Sequence, residues 1–391
     1  MFFDNQLTSL NSDKHILIEF QPLNTRCMIT NWKEGVLFYK WTDKQWKIED
    51  IDPGFVLISD EYTEDSCTAA YHFMQEFPDD LKTYIKPFRQ NQFTLLKLFS
   101  HNPSLLDIFK HSPNLVWMTA ISVTQKQWSL DDTVKLLQKK RGYISSQIFQ
   151  SNSKALINFI NKIQLLNGDQ YEYHLIKKCC SNTDIIRFFS HWKKIPVHAL
   201  ILLIKYPILI RTSLLYGLLG LQLTLSQQQS VFFSISHTMK DIEHMAYMMN
   251  IKLSKHYYKS LNTIHKVNRA HDSLIDRLNK SNLAHNSDTL FFPICPMADT
   301  NNIIQIKNSV ELASEGRSMH HCVAAHGPFL LEGNHYIYKV INPERGTLRI
   351  ALKGNQYNIS QFKLVCNGTP SPNSFKMVHQ WLSEAKSKKV F

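Results

Sequence analysis

From Lys14 to Ser59 apolar and polar positions alternate with a period near two, most clearly in the runs His15-Ile16-Leu17-Ile18-Glu19-Phe20, Gly35 to Trp41 and Gly54 to Ile58. β-Branched and aromatic residues dominate these runs, and Asn, Asp, Pro and Gly bound them, the pattern of strands that bury one face. They predict a small antiparallel sheet, with Trp32, Trp41 and Trp46 packed across its strands. After Thr63 the apolar spacing changes to i, i+3, i+4, as in Phe93, Leu96, Phe99 and then Leu105, Leu106, Phe109, and it persists to about Asn279. A helical array follows from this spacing. Its helix starts are marked where a short polar side chain precedes acidic residues, at Ser129-Leu130-Asp131-Asp132 and Ser181-Asn182-Thr183-Asp184. Pro103, Pro113 and Pro207 suit the first turns of further short helices, and their uneven spacing argues against a repeat.

The polar stretch Asn279 to Asp288 closes the array, and a compact unit follows it. Its pattern predicts a strand from Ile303 to Ile306, a helix from Ser309 to Glu315 and a second from Met319 to Leu331. Strands are then expected at Tyr336 to Ile341, Thr347 to Leu352 and Tyr357 to Val365, with turns at 342–346 and 353–355, and a last helix from about Ser374 to Lys388. The expected class is α+β in three parts: a small β-rich element over 1–62, a helical domain over 63–280, and an α+β domain with a β-meander over 281–391.

Composition sharpens this picture. Six of the 12 glycines fall between Gly316 and Gly368, so the tight turns concentrate near the C-terminus. A chain of 391 residues can bury its cores without a metal or disulfides, so size forces no cofactor and none is expected. Seven cysteines, scattered and without a CxxC pair, fit a reducing compartment and a cytoplasmic location. No basic segment leading into an apolar run opens the sequence, and Lys205, Pro207 and Arg211 interrupt its most apolar stretch, Ile195 to Leu225. Neither a secretory signal nor a membrane partner is therefore expected. The formal net charge of +12, with clusters such as Lys139-Lys140-Arg141, favours a polyanionic partner, nucleic acid first. Phosphate-loop, dinucleotide and zinc-protease signatures are absent, which argues against an ATPase, a dehydrogenase or a zincin.

The densest group of reactive side chains is Glu315-Gly316-Arg317-Ser318-Met319-His320-His321-Cys322. Several chemistries remain open for it. Cys322 near a helix start would be a nucleophile, with His326 or His335 as its base and Gln361 as orienter or oxyanion donor. Adjacent His321 points away from the thiol on a helix, although it belongs to the same candidate centre. Metal binding would need Cys322 and His326 at i, i+4 with His335 or Cys366 completing the set; with two well-spaced ligands, no metal is expected. Recognition without bond-making would use His321, Arg317, Arg345, Arg349, Gln361 and Asn367 around a phosphate or base, with the Glu315-Gly316 turn presenting amides. The bland alternative is a core plug, the thiol packed as a small apolar group.

The combination Leu312-Ala313-Ser314-Glu315-Gly316-Arg317, His321-Cys322-Val323, Gly333, Tyr336-Ile337-Tyr338, Pro343-Glu344-Arg345, Thr347-Leu348, Gln361, Asn367 and Trp381 resembles the C-terminal domain of PcfJ-like proteins. Phe291-Phe292-Pro293 and the stretches Leu136 to Ile163 and His191 to Leu215 extend the resemblance over most of the chain. The resemblance implies a C-terminal α+β domain with a polar signature, and the company of bacterial conjugative plasmids, phages and other mobile elements. It does not imply a defined activity. Relatives commonly carry tyrosine where this chain has His326. Three functions follow as expectations: nucleic-acid association through the basic surface, a cysteine-dependent hydrolase or transferase, or a scaffold whose helical region binds a protein partner.

Overall fold

The computed structural model describes residues 7–20, 25–65, 67–284, 289–319, 323, 326–354 and 356–387. The fold is α+β, and the chain divides into two compact units: residues 1–211 with 222–228, and residues 212–221 with 229–391.

In the first unit a five-stranded antiparallel meander runs in chain order through Leu7–Leu10, Ile16–Phe20, Thr25–Ile29, Phe38–Thr42 and Gln45–Ile48. Trp41 and Trp46 face each other across the last two strands with ring centroids 5.1 Å apart, the expected cross-strand pairing. Gly54 to Ile58, expected as a strand, is not one. Phe55, Val56, Leu57 and Ile58 are all buried, so no polar alternation survives, and their backbone is served by a side chain instead of a ladder. Buried Gln92 accepts the Leu57 and Ile58 amides at 2.8 Å each and donates to the Ile58 carbonyl at 2.9 Å. The helical array that follows has an aromatic core. Phe99, Phe109, Phe88, Trp117 and Tyr173 form a chain of rings, each 4.6 to 6.3 Å from the next. Helix starts fall where the caps predicted them: the Ser129 hydroxyl accepts the Asp132 amide at 3.1 Å, and the Asn182 side chain accepts those of Asp184 and Ile185.

The second unit has a four-stranded antiparallel sheet in the order Gln356–Leu364, Gly346–Lys353, His335–Val340, Ile303–Gln305. One face of it carries Tyr338, Val340, Leu348, Ile350 and Phe362 against Val378, Trp381 and Leu382 of the helix Pro372–Ser387. The other face packs Ile337 with Leu312 of the helix Ser309–Met319 and Leu330 of the helix Gly327–Leu331. The helices Leu225–Met248, over its part in this unit, and Ile264–Ala284 complete it, the latter packed on Ser309–Met319.

Two expectations change here. The helix foreseen as ending at Glu315 continues to Met319, so the Glu315 and Gly316 amides lie inside a helix and not in a turn. The helix foreseen from Met319 to Leu331 is limited, among the described residues, to Gly327–Leu331 with short 3-10 character at Val323 and His326.

Candidate functional site

The strand Gly346–Lys353 organises the polar interior of the second unit. Its side chains alternate, so Leu348 and Ile350 enter the core beneath Pro372–Ser387, and Thr347 and Arg349 point to the side of Ser309–Met319. Two polar groups with different character result.

The first is closed. Glu315, 1% exposed, accepts Arg345 Nη1 at 3.0 Å, a second bond from Arg345 Nη2 and the Thr347 hydroxyl at 2.6 Å. Arg345 Nη1 also reaches the Gly346 carbonyl at 2.8 Å. Every oxygen of this carboxylate is occupied by the protein, so the bidentate pair clasps the helix to the strand. Expected binding residues Glu315 and Arg345 are thus brought together and bond to each other. Gly316 is buried beside them, Arg317 is exposed on the same helix, and Asn367 lies in the short 3-10 turn Val365–Asn367 with φ +59°.

The second group is open. Arg349 stands opposite Ile337 on one neighbouring strand and Gln361 on the other, directly before a register shift in the second pairing. His335 begins the strand His335–Val340, its ring 6.4 Å from that of Phe329. His326 precedes the helix Gly327–Leu331, and its ring lies 6.5 Å from that of His244, inclined by 27°. Arg349 Nε, His326 Nδ1 and His335 Nδ1 are buried, and none has a hydrogen-bond partner among the described residues. Nitrogens left without a partner in a folded interior are costly.

Electrostatics follow from this crowding. Burial, reinforced by the Arg349 charge and the imidazoles of His244 and His335, pushes the His326 imidazole down to about 3. Burial and Arg349 also depress His335, against the opposing pull of Glu332, and burial lowers the Arg349 guanidinium. His326 is accordingly a neutral imidazole near pH 7, able to give or accept one hydrogen bond but carrying no charge. Behind it, burial raises the Asp241 carboxyl, while His271, His237, His244 and Lys240 oppose that rise. Buried His271 sits between Asp272, 3.4 Å from Nδ1, and Asp241, 3.8 Å from Nε2. Among the described residues no group of three or more His, Cys, Asp and Glu is placed to hold a metal ion.

His321 and Cys322 lie outside the described residues, and Gln361 is exposed beside Arg349. Asp241, His244 and His271 were missed as neighbours of this centre. They look like helix-face histidines and an isolated acid, and only tertiary packing brings His244 to His326; the i, i+3 spacing of Asp241 and His244 on one helix was the available signal.

A different kind of surface lies in the first unit. The helices Leu130–Leu137, Arg141–Phe149 and Lys154–Lys162 bound two hollows of about 620 Å³ each. Lys135, Lys139 and Trp128 line one, Lys140, Arg141 and Lys154 line the other, and Tyr143 belongs to both. Asp132 is the carboxylate of the first hollow, already bonded to the Ser129 hydroxyl at 2.7 Å and Lys135 at 3.3 Å, and the second has none in its lining.

No described helix is long and apolar enough to cross a membrane. Neither curated proteins nor solved structures gave a match to the chain. The family model described as PcfJ-like protein matches residues 238–378, short of the basic hollows and of the stretches 136–163 and 191–215. The match opens just ahead of Asp241 and His244 and takes in the whole second sheet, the Glu315 clasp and the group around Arg349. Over residues 238–378 the chain is similar to the PcfJ-like proteins.

Proposed function

We propose that the protein binds nucleic acid through the basic surface of the helices between Leu130 and Lys162. The observation that supports this reading is the pair of adjoining hollows lined by Lys135, Lys139, Lys140, Arg141 and Lys154, whose one carboxylate is internally engaged. Lysine and arginine side chains held along a shared concave surface neutralise successive phosphates and release their counterions. The bacterial mobile-element setting implied by the family resemblance fits such a partner. Fluorescence anisotropy with a labelled oligonucleotide at 50 and 200 mM salt tests it. Binding should weaken steeply with salt, and a Lys139→Ala, Lys140→Ala, Arg141→Ala variant should lose affinity with a shallower salt slope. Equal binding by the variant and the parent chain would refute the assignment.

A second reading is a reaction in the C-terminal unit, with Cys322 as nucleophile and His321 and Gln361 as its candidate partners. It is favoured by the unpartnered nitrogens of His326, His335 and Arg349, which suit an acidic thiol or an oxyanion. Alkylation at pH 7, mapped by peptide mass, tests it: Cys322 should react ahead of the other cysteines, and uniform slow labelling would remove the nucleophile.

A further inference from the structure

The charges of the basic surface account for attraction to phosphates, and they leave its aromatic side chains unexplained. On the helices Leu130–Leu137 and Arg141–Phe149 the aliphatic residues Val134, Leu136, Leu137, Ile144 and Ile148 are all buried. Tyr143 and Trp128 break that rule, being 53% and 41% exposed. Their exposure is not needed to build the helices, since the apolar stripe is complete without them. Tyr143 lines both hollows and therefore stands on the ridge between them, with a recess on either side. Trp128 lines the first recess and has the Lys126 ammonium 5.9 Å from its ring centroid, so an aromatic face and a positive charge are presented together.

Resting on the nucleic-acid reading above, we propose that the ligand is a single strand, its bases stacked on Tyr143 and Trp128 and its phosphates held by Lys135, Lys139, Lys140, Arg141 and Lys154. A duplex keeps its base faces covered by their neighbours and would leave both rings unused. A single strand has free π-faces, and alternating stacking and phosphate contacts are how such strands are bound without regard to sequence. The cations lie on both sides of Tyr143, so a strand crossing the ridge meets positive charge before and after the ring. Stacking on any base is sequence-tolerant, which is consistent with hollows whose lining is mostly Lys, Gln, Ser and Asn.

The test uses the full chain with a labelled oligo-dT, a duplex of equal length, an abasic oligomer with the same phosphates, and polyglutamate as competitor. Oligo-dT should bind more tightly than the abasic oligomer, Tyr143→Ala should weaken it about tenfold or more, and Tyr143→Phe should restore it. Duplex and abasic binding should not respond to Tyr143→Ala. Because Tyr143 is exposed, circular dichroism should show the variants folded. Duplex binding that depends on Lys139 and Lys140, with oligo-dT indifferent to Tyr143, would overturn the single-strand inference and leave the parent reading standing. Polyglutamate displacing oligo-dT at equal charge concentration would overturn it in favour of an acidic peptide. Failure of every nucleic acid to bind would overturn both.

Discussion

Acidification should destabilise this protein through one buried imidazole. His326 takes up a proton near its ordinary value of 6.5 in the unfolded chain, whereas in the folded chain it is pushed down to about 3. Between those values the unfolded state holds one more proton than the native state, so stability falls as pH falls through this window. Above about 6.5 both states are neutral at this residue and the effect vanishes. At full difference the slope is about 1.4 kcal/mol per pH unit, and from pH 7.5 to 5.5 the loss from His326 comes to about 1.4 kcal/mol. Arg349 and His335 from the sheet and His244 from the long helix act on the same ring. The contribution of His326 is therefore read as a difference. Urea unfolding of the parent chain and of His326→Gln, each at pH 7.5 and 5.5, should show the parent losing about 1.4 kcal/mol more than the variant. His326→Tyr, which also removes the imidazole, should flatten the slope likewise. An identical pH dependence in parent and variants would refute the claim that His326 is buried neutral.

Three further outcomes rest on single contacts. Glu315→Ala strands the Arg345 charge and the Thr347 hydroxyl and should cost about 3 kcal/mol in chemical unfolding, the low end for a broken buried pair because Arg345 keeps partial solvent contact. A Cβ on Gly346 would lie 2.6 Å from Phe362 Cε2 and 3.0 Å from the Lys363 carbonyl, so Gly346→Ala should lower stability by about 2 kcal/mol, seen as a drop in Tm. Gln92→Leu removes the side chain that satisfies Leu57 and Ile58, and leaving those buried backbone groups unpaired should cost about 2 to 4 kcal/mol; an unchanged Tm would show that water replaces the amide.

Local signals were readable where local physics decides. The Ser129 cap, the glycine-rich turns and the alternation over 335–364 led to the helix Leu130–Leu137 and to the three strands of the C-terminal meander. Gly54 to Ile58 misled because a continuous apolar run describes burial on all sides, and whether a ladder or a side chain satisfies the backbone is settled by Gln92, far along the chain. The Glu315-Gly316 pair read as a turn because Gly disfavours helix; burial at 315 and 316 and the bonds from Arg345 and Thr347 to Glu315 override that propensity. Of the residues singled out for a site, Glu315 and Arg345 meet in the structure, and His321 and Cys322 lie outside the described residues. The pairing of His244 with His326 was invisible, because nothing local distinguishes a histidine that meets another histidine from one that meets solvent.

The route of the chain has a practical corollary. Residues 212–221 belong with the C-terminal unit and 222–228 with the N-terminal one, and the long helix Leu225–Met248 begins in the one and continues in the other. The backbone therefore passes between the halves three times, so no single scission divides the chain into these two halves. A protease nick after Arg211 would leave 222–228 on the C-terminal fragment, and one before Gln229 would leave 212–221 on the N-terminal fragment.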